Sequence, residues 1–198
     1  FMIRTLPAVL FALLLFFQTF GQQEDKVLKQ SLLELIKDFK GDAGIYVRHL
    51  KTGKTAAINA DTIFPTASMI KIPITIGVFD KIEKGELKYD SILTYYDSLL
   101  YKGEDILGSF KSGEKISLTK VLMLMITTSD NTASLWCQQL AGTGAAINAW
   151  LERNGYKNIR VNSRTPGREV NRDKYGWGQT TPKEMAELLV SIREGNVI

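Results

Sequence analysis

The feature that most constrains this chain is the segment 64–73, Phe-Pro-Thr-Ala-Ser-Met-Ile-Lys-Ile-Pro, in which Ser68 lies three residues before Lys71. The apolar spacing that follows predicts a helix from Ser68 to Lys84, and side chains at i and i+3 share one helix face. A neutral lysine amine on that face could accept the serine proton, and the positive end of the helix dipole would favour an oxyanion there. The segment therefore predicts a serine nucleophile activated by lysine.

The same Ser-x-x-Lys spacing occurs twice more in the chain, starting at Ser112 and at Ser117. Ser112 precedes Gly113 in a polar stretch, which predicts a turn. Ser117 precedes a long apolar run, which predicts a helix cap. Capping is also the alternative interpretation of Ser68, so the spacing alone does not identify a nucleophile.

A Ser-Asp-Asn triplet at residues 129–131, after that apolar run, adds a second motif. At ordinary residue frequencies such a triplet in a narrow window has a chance probability on the order of 0.1%. Its structural alternative is a cap for a helix predicted over 132–140. With Ser68-x-x-Lys71 and this triplet together, the chain resembles the class A serine β-lactamases and their penicillin-binding relatives.

The resemblance implies an α+β fold (an α/β sandwich) of the β-lactamase/transpeptidase type. This is an antiparallel sheet flanked by helices, with an inserted helical subdomain, and residues 22–198 are expected to form it. In the family, three strands and a last helix follow the position where this chain stops, so we expect the C-terminal strands to be missing from it. Those strands would carry the catalytic Lys-Thr-Gly. The Lys-Thr-Gly at 51–53 precedes the nucleophile, and we interpret it as a hairpin turn.

The resemblance also implies a role for each motif residue. Ser68 would attack a lactam or amide carbonyl, and Lys71 would take its proton. Ser129 would relay the proton to the leaving nitrogen, and Asn131 would orient Lys71 and the substrate amide. The Ser68 N–H would form half of the oxyanion hole.

One departure from the family concerns release of the acyl group. Class A enzymes carry a Glu-Pro pair in the loop after these helices, and a gap-free alignment puts Thr165-Pro166 there. Threonine cannot act as a general base near neutral pH. Glu169 is the nearest carboxylate and is a candidate deacylation base, against a solvated surface role. Tyr101 and Asp130 are candidate substrate contacts.

Three functions follow from these residues. The favoured one is a β-lactamase-type hydrolase that opens β-lactam rings through a Ser68 acyl-enzyme. The second is a penicillin-binding enzyme or D-alanyl-D-alanine peptidase acting on cell-wall peptide, which needs no glutamate. The third is a β-lactam-binding module that does not deacylate. The expected partner is thus a small β-lactam or a cell-wall peptide.

Composition excludes several other classes. The single histidine, His49, argues against a Ser-His-Asp scheme, and the single cysteine, Cys137, excludes an internal disulfide. No His/Cys cluster predicts a metal, and no cofactor is expected. A net charge of +4, scattered among acids, does not predict nucleic-acid binding. We expect a monomer.

The N-terminus predicts export. A short positive region is followed by an apolar run from Leu6 to Phe17, which is interpreted as a signal peptide over residues 1–21. The run is short for a membrane span, and no cysteine lies near the cut, so no stable membrane anchor is expected. The predicted location is periplasmic or secreted.

The rest of the chain shows helical and strand patterns separated by one long loop, predicted over 156–180. Helices are predicted over 23–39, 118–128, 132–140, 144–153 and 182–194, and strands over 43–50 and 55–60.

Overall fold

The computed structural model of the protein describes residues 23–103 and 105–197. The predicted signal peptide lies outside the described residues. Three short 3-10 turns, at Ala67–Ile70, Asp97–Leu99 and Leu107–Ser109, accompany the main elements. The helices and strands, in chain order, are α1 (Lys26–Ile36), β1 (Ile45–Arg48), β2 (Thr55–Ile58), β3 (Phe64–Pro65), α2 (Lys71–Glu83), β4 (Ile92–Thr94), β5 (Lys115–Ser117), α3 (Leu118–Thr127), α4 (Asn131–Leu140), α5 (Thr143–Arg153), β6 (Arg160–Val161), α6 (Glu169–Tyr175), β7 (Gly178–Thr180) and α7 (Pro182–Arg193).

Helix α2 is the centre of the packing and contacts α3, α4 and α5. Its predicted apolar stripe is buried at Ile70, Ile74 and Val78, while Ile82 is half-buried at the helix end. Burial of such side chains contributes about 1.5–3 kcal/mol each relative to exposure. The helix that follows Ser68 is therefore held rigidly by its neighbours.

The described strands form three small antiparallel groups. Strands β1 and β2 pair as a hairpin, β4 pairs with β5, and β7 lies between β3 and β6. Helix α7 packs on β1, where Glu187 accepts hydrogen bonds from Tyr46 (2.8 Å) and Arg48 (2.5 Å). The hairpin turn contains Gly53 at φ 72°, as predicted for the Lys-Thr-Gly at 51–53.

Several sequence predictions are confirmed at element ends. Ser117 accepts a hydrogen bond from the Lys120 N–H and caps α3, as predicted. At α7 the Thr181 side chain has the same role and accepts from the Glu184 N–H. Ser112 lies in a turn with Gly113 at φ 94°. Among the described helices, none is long and apolar enough to cross a lipid bilayer.

Other predictions need correction. The nucleophile segment begins as a 3-10 turn at Ala67–Ile70, and regular α-helix starts only at Lys71. The sequence of α3 is largely apolar, which favours a fully buried helix, but Met123 and Ile126 are 52% and 51% exposed, so only one side of the helix packs. The predicted loop 156–180 contains β6, α6 and β7. These elements have two, seven and three residues, too few to show a hydrophobic period.

Candidate active site

Ser68 lies in the 3-10 turn that leads directly into α2. The residue before it, Ala67, has φ 43°, a conformation that costs an L-residue energy and needs support from its surroundings. Strand β7 supplies that support, because the Thr66 N–H donates to the Gly178 carbonyl at 3.0 Å. A Cβ at Gly178 would lie only 2.4 Å from a terminal carbon of Ile70, so the strand can approach this closely only with glycine.

The Lys71 amine is the centre of the polar cluster. Its Nζ lies 3.2 Å from Ser68 Oγ, 2.8 Å from Ser129 Oγ, 2.5 Å from the Ser129 carbonyl oxygen and 2.9 Å from Asn131 Oδ1. The two hydroxyl oxygens, of Ser129 and Ser68, are 2.7 Å apart. The structure therefore brings together the four residues that the sequence singled out as catalytic candidates.

The pKa of the Lys71 amine lies below its usual value. The residue is only 3% exposed, and this burial lowers the pKa of the amine because it removes the charged form from water. The negative charges of Asp105 and Asp130 oppose the effect, yet the pKa stays below its usual value. A neutral amine can donate to the Ser129 carbonyl and the Asn131 amide oxygen and still accept a proton from Ser68.

The buried Asp130 side chain stabilises the Ser-Asp-Asn turn by accepting backbone hydrogen bonds. Ser129 has φ 58°, and Asp130 caps α4 by accepting from the Ala133 N–H at 2.7 Å. The second Asp130 oxygen accepts from the Leu107 N–H at 2.8 Å, and the residue is 2% exposed. Asp130 therefore supports the turn from the interior instead of lining the cavity, which differs from its prediction as a substrate contact.

A cavity of about 210 Å³ opens beside Ser68. Tyr101, a candidate substrate contact, lines it, and Trp177 lies against Tyr101 with ring centroids 5.1 Å apart and planes at 80°. Sequence reasoning missed Trp177, although a tryptophan between two glycines in a long loop was a usable signal. The residues lining the cavity are Ala67, Ser68, Ile70, Lys71, Tyr101, Asn131 and Trp177.

The structure does not bring Glu169 to this cavity. Glu169 is exposed at the start of α6, where it accepts from the Gly167 N–H at 3.1 Å and lines a separate cavity of about 250 Å³. Thr165 is 5% exposed, and its hydroxyl donates to the Ser163 carbonyl at 3.0 Å. A Cβ at Gly144 would lie 1.8 Å from the Thr165 hydroxyl oxygen, so this side chain packs tightly against α5.

The remaining reactive side chains stay outside the site. Burial raises the pKa of Cys137 to about 12, so its thiol remains protonated and unreactive near neutral pH. His49 accepts a hydrogen bond from the Thr52 N–H at 3.1 Å in the hairpin turn. Within the described part of the chain, no group of three or more His, Cys, Asp or Glu side chains could hold a metal ion.

One protein-family model matches most of the chain. The Beta-lactamase enzyme family matches residues 26–198. Among curated proteins, β-lactamase VEB-1 of Pseudomonas aeruginosa is 25% identical over 174 residues, which cover 86% of this chain and 57% of that protein. The β-lactamase regulatory protein BlaB of Streptomyces cacaoi is 30% identical over 110 residues, covering 53% of this chain and 35% of BlaB.

Solved structures show the same relationship. PBP-A is 27% identical with a TM-score of 0.79, covering 90% of this chain and 65% of that one. A PBP-A variant, solved as an acyl-enzyme complex with penicillin G, superposes equally well. An ancestral class A β-lactamase is 27% identical with a TM-score of 0.73, and the match covers 86% of this chain and 65% of the ancestral protein. The chain thus spans less than two thirds of the length of these relatives.

Proposed function

Because this chain belongs to the β-lactamase enzyme family and has the β-lactamase/transpeptidase-like fold, we propose that Ser68 opens β-lactam rings by forming an acyl-enzyme. The observation that carries the proposal is the buried Lys71 amine, within hydrogen-bonding distance of Ser68, Ser129 and Asn131. A nucleophile and a base at such distances are the signature of covalent catalysis.

The first step is attack on the carbonyl carbon. Neutral Lys71 accepts the hydroxyl proton as Ser68 Oγ forms the new C–O bond, and the Ser68 N–H supports the developing oxyanion. The bond from that carbon to the ring nitrogen then breaks. Ser129 Oγ, 2.8 Å from Lys71 Nζ, donates its hydroxyl proton to the nitrogen and takes up the proton that Lys71 had accepted, so both groups return to their starting states.

Asn131 is proposed to act on both Lys71 and the substrate amide. Its Oδ1 accepts from Lys71 at 2.9 Å and fixes the amine, while its side chain also lines the cavity. We propose that the amide N–H₂ of Asn131 orients the substrate amide.

Release of the acyl group distinguishes the candidate functions. No carboxylate lines the described cavity, Glu169 lies at another one, and Thr165 packs against α5. These observations favour, as the second candidate, a penicillin-binding protein or sensor module that is acylated and keeps the acyl group. One relative carries the name of a β-lactamase regulatory protein. A D-alanyl-D-alanine peptidase would use the same acylation residues on cell-wall peptide.

Intact-mass spectrometry over time tests the proposal on the complete gene product that contains this chain. Penicillin G is expected to add one penicilloyl mass to the wild type and none to Ser68→Ala. Ser112→Ala is the matched control, because Ser112 has the same Ser-x-x-Lys spacing but lies in an exposed turn, and it is expected to acylate like the wild type. An adduct on Ser68→Ala, or none on the wild type, would contradict the proposal.

The lifetime of the adduct separates the two candidates. An adduct that forms and clears with release of hydrolysed penicillin indicates a β-lactamase. An adduct that persists for hours indicates a penicillin-binding or sensing protein. Glu169→Gln distinguishes further, since it slows clearance only if the loop moves Glu169 to the acyl group.

A further inference from the structure

We propose that Trp177 determines the specificity of the Ser68 site by packing against an apolar, aromatic acyl side chain of the ligand. The inference rests on the proposed acylation of Ser68 and adds a residue that the Ser-x-x-Lys and Ser-Asp-Asn motifs do not contain. Trp177 reaches the cavity from the loop between α6 and β7, far in sequence from those motifs.

The residues that line the cavity at Ser68 are of two chemical kinds. Ser68, Lys71 and Asn131 are polar, and the reacting amide must bind beside the Ser68 hydroxyl. Tyr101 and Trp177 are aromatic, and Ala67 and Ile70 are apolar. We expect a ligand with its reacting amide at Ser68 and Lys71 to place an apolar acyl side chain against the aromatic pair, because these rings are the largest apolar groups that line the cavity.

The rings of Tyr101 and Trp177 are partly accessible to a ligand. The two rings meet edge to face at 80°, with centroids 5.1 Å apart, and both residues are only half-buried. Aromatic groups prefer such edge-to-face or offset contacts at centroid distances of about 4.5–7 Å. With a volume of about 210 Å³, the cavity suits one flat group against this wall.

The Trp177 backbone is fixed at its carbonyl. The Trp177 carbonyl accepts from the Asn162 N–H at 2.8 Å and the Ser163 N–H at 3.0 Å. Gly176, at φ 70°, and Gly178, which packs against Ile70, flank the tryptophan.

A network of side-chain hydrogen bonds lies next to the loop that carries Trp177. Arg168 donates to Asn162 Oδ1 at 2.9 and 3.0 Å and to Gln179 Oε1 at 2.7 Å, and Asn171 also donates to Gln179 Oε1 at 3.1 Å. These hydrogen bonds join the segment after β6 to β7. The residues on both sides of Trp177 are therefore held in place.

Paired acylation kinetics test the inference on the complete gene product. The probes are penicillin G, which carries a phenylacetyl side chain, and aminopenicillanic acid, the same nucleus without an acyl side chain. The readout is the ratio of their second-order acylation rate constants. Trp177→Ala is expected to lower this ratio about three- to tenfold, the size of one aromatic contact, whereas Trp177→Phe is expected to restore most of it. Tyr96→Ala is the matched control, since Tyr96 is exposed and does not line the cavity, and it should leave the ratio unchanged.

Fluorescence gives a second readout that needs no truncation. Penicillin G is expected to change the tryptophan emission of the wild type as the adduct forms, and aminopenicillanic acid to change it less. The change is expected to be lost in Trp177→Phe. A ratio that stays constant or rises in Trp177→Ala, while both probes acylate the protein, would overturn the role of Trp177 alone. Absence of acylation by either probe would overturn the proposed function as well.

Discussion

In the proposed acylation, the charge state of Lys71 decides whether Ser68 can lose its proton. Burial lowers its pKa, and the carboxylates of Asp105 and Asp130 raise it. Since the proposed base is the neutral amine, acylation is expected to quicken as pH rises through the lowered pKa and to level off above it. The pH profile of acylation by penicillin G therefore reports the amine directly.

Asp105→Asn tests this electrostatic balance. The change removes a negative charge that raises the pKa of Lys71, but its amide oxygen can still accept from the Thr132 N–H and hydroxyl as Asp105 does at 3.0 and 3.1 Å. We expect the rising limb of the profile to move to lower pH. Asp173→Asn, at an exposed position on α6, is the control. A limb that stays in place or moves to higher pH would show that Asp105 does not act on Lys71.

At the residue scale, the motifs predicted the catalytic candidates but not the residues around them. The i, i+3 spacing was enough to place Ser68 beside Lys71. Asp105, whose charge acts on Lys71, and Trp177 reach the site only through the tertiary fold. Asp130, a candidate substrate contact in a motif whose alternative interpretation was a helix cap, caps α4.

The elements that carry the site differ in how strongly the sequence specifies them. Helices α2, α3, α4, α5 and α7 begin and end within about three residues of their predicted positions, because each has a hydrophobic period. In α3, α4 and α7 a side chain also caps the first turn. Strands β3, β6 and β7 have two or three residues each and depend on long-range pairing. Strand β7 nevertheless holds the Ser68 turn.

Gly178→Ala tests the contact between β7 and that turn. The added Cβ would lie 2.4 and 2.6 Å from two side-chain carbons of Ile70, which is 1% exposed and cannot move aside cheaply. We expect a loss of about 1–3 kcal/mol in the free energy of unfolding and slower acylation. Gly41→Ala is the control, since its new Cβ would meet only the exposed side chain of Phe39. Equal urea midpoints for both variants would refute this account of β7.

At the scale of the whole molecule, Glu187 connects the first hairpin to the last helix. It accepts from Tyr46 and Arg48 across 141 and 139 residues of sequence. The overall architecture was predictable from family resemblance, whereas this connection depends on side chains that no motif marks. It fixes α7 against β1 and so fixes β7, the strand just before α7.

Glu187→Ala is expected to reduce the free energy of unfolding by about 1 kcal/mol, because a partly buried pair is only partly screened by water. Glu34→Ala is the comparison, since Glu34 pairs with Lys37 where both side chains are more than half exposed. That variant should change stability by only a few tenths of a kcal/mol. Urea unfolding of both variants measures the difference, and equal losses would contradict a special role for Glu187.

The central claim is that Ser68 is the residue that becomes acylated, and peptide mapping after acid quenching tests it most directly. Trypsin is expected to cut this chain into fragments that include 55–71, with Ser68, and 121–153, with Ser129. After reaction with penicillin G, the account predicts the penicilloyl mass on fragment 55–71, located at Ser68 by fragmentation. A mass on fragment 121–153, or at a threonine of fragment 55–71, would contradict it.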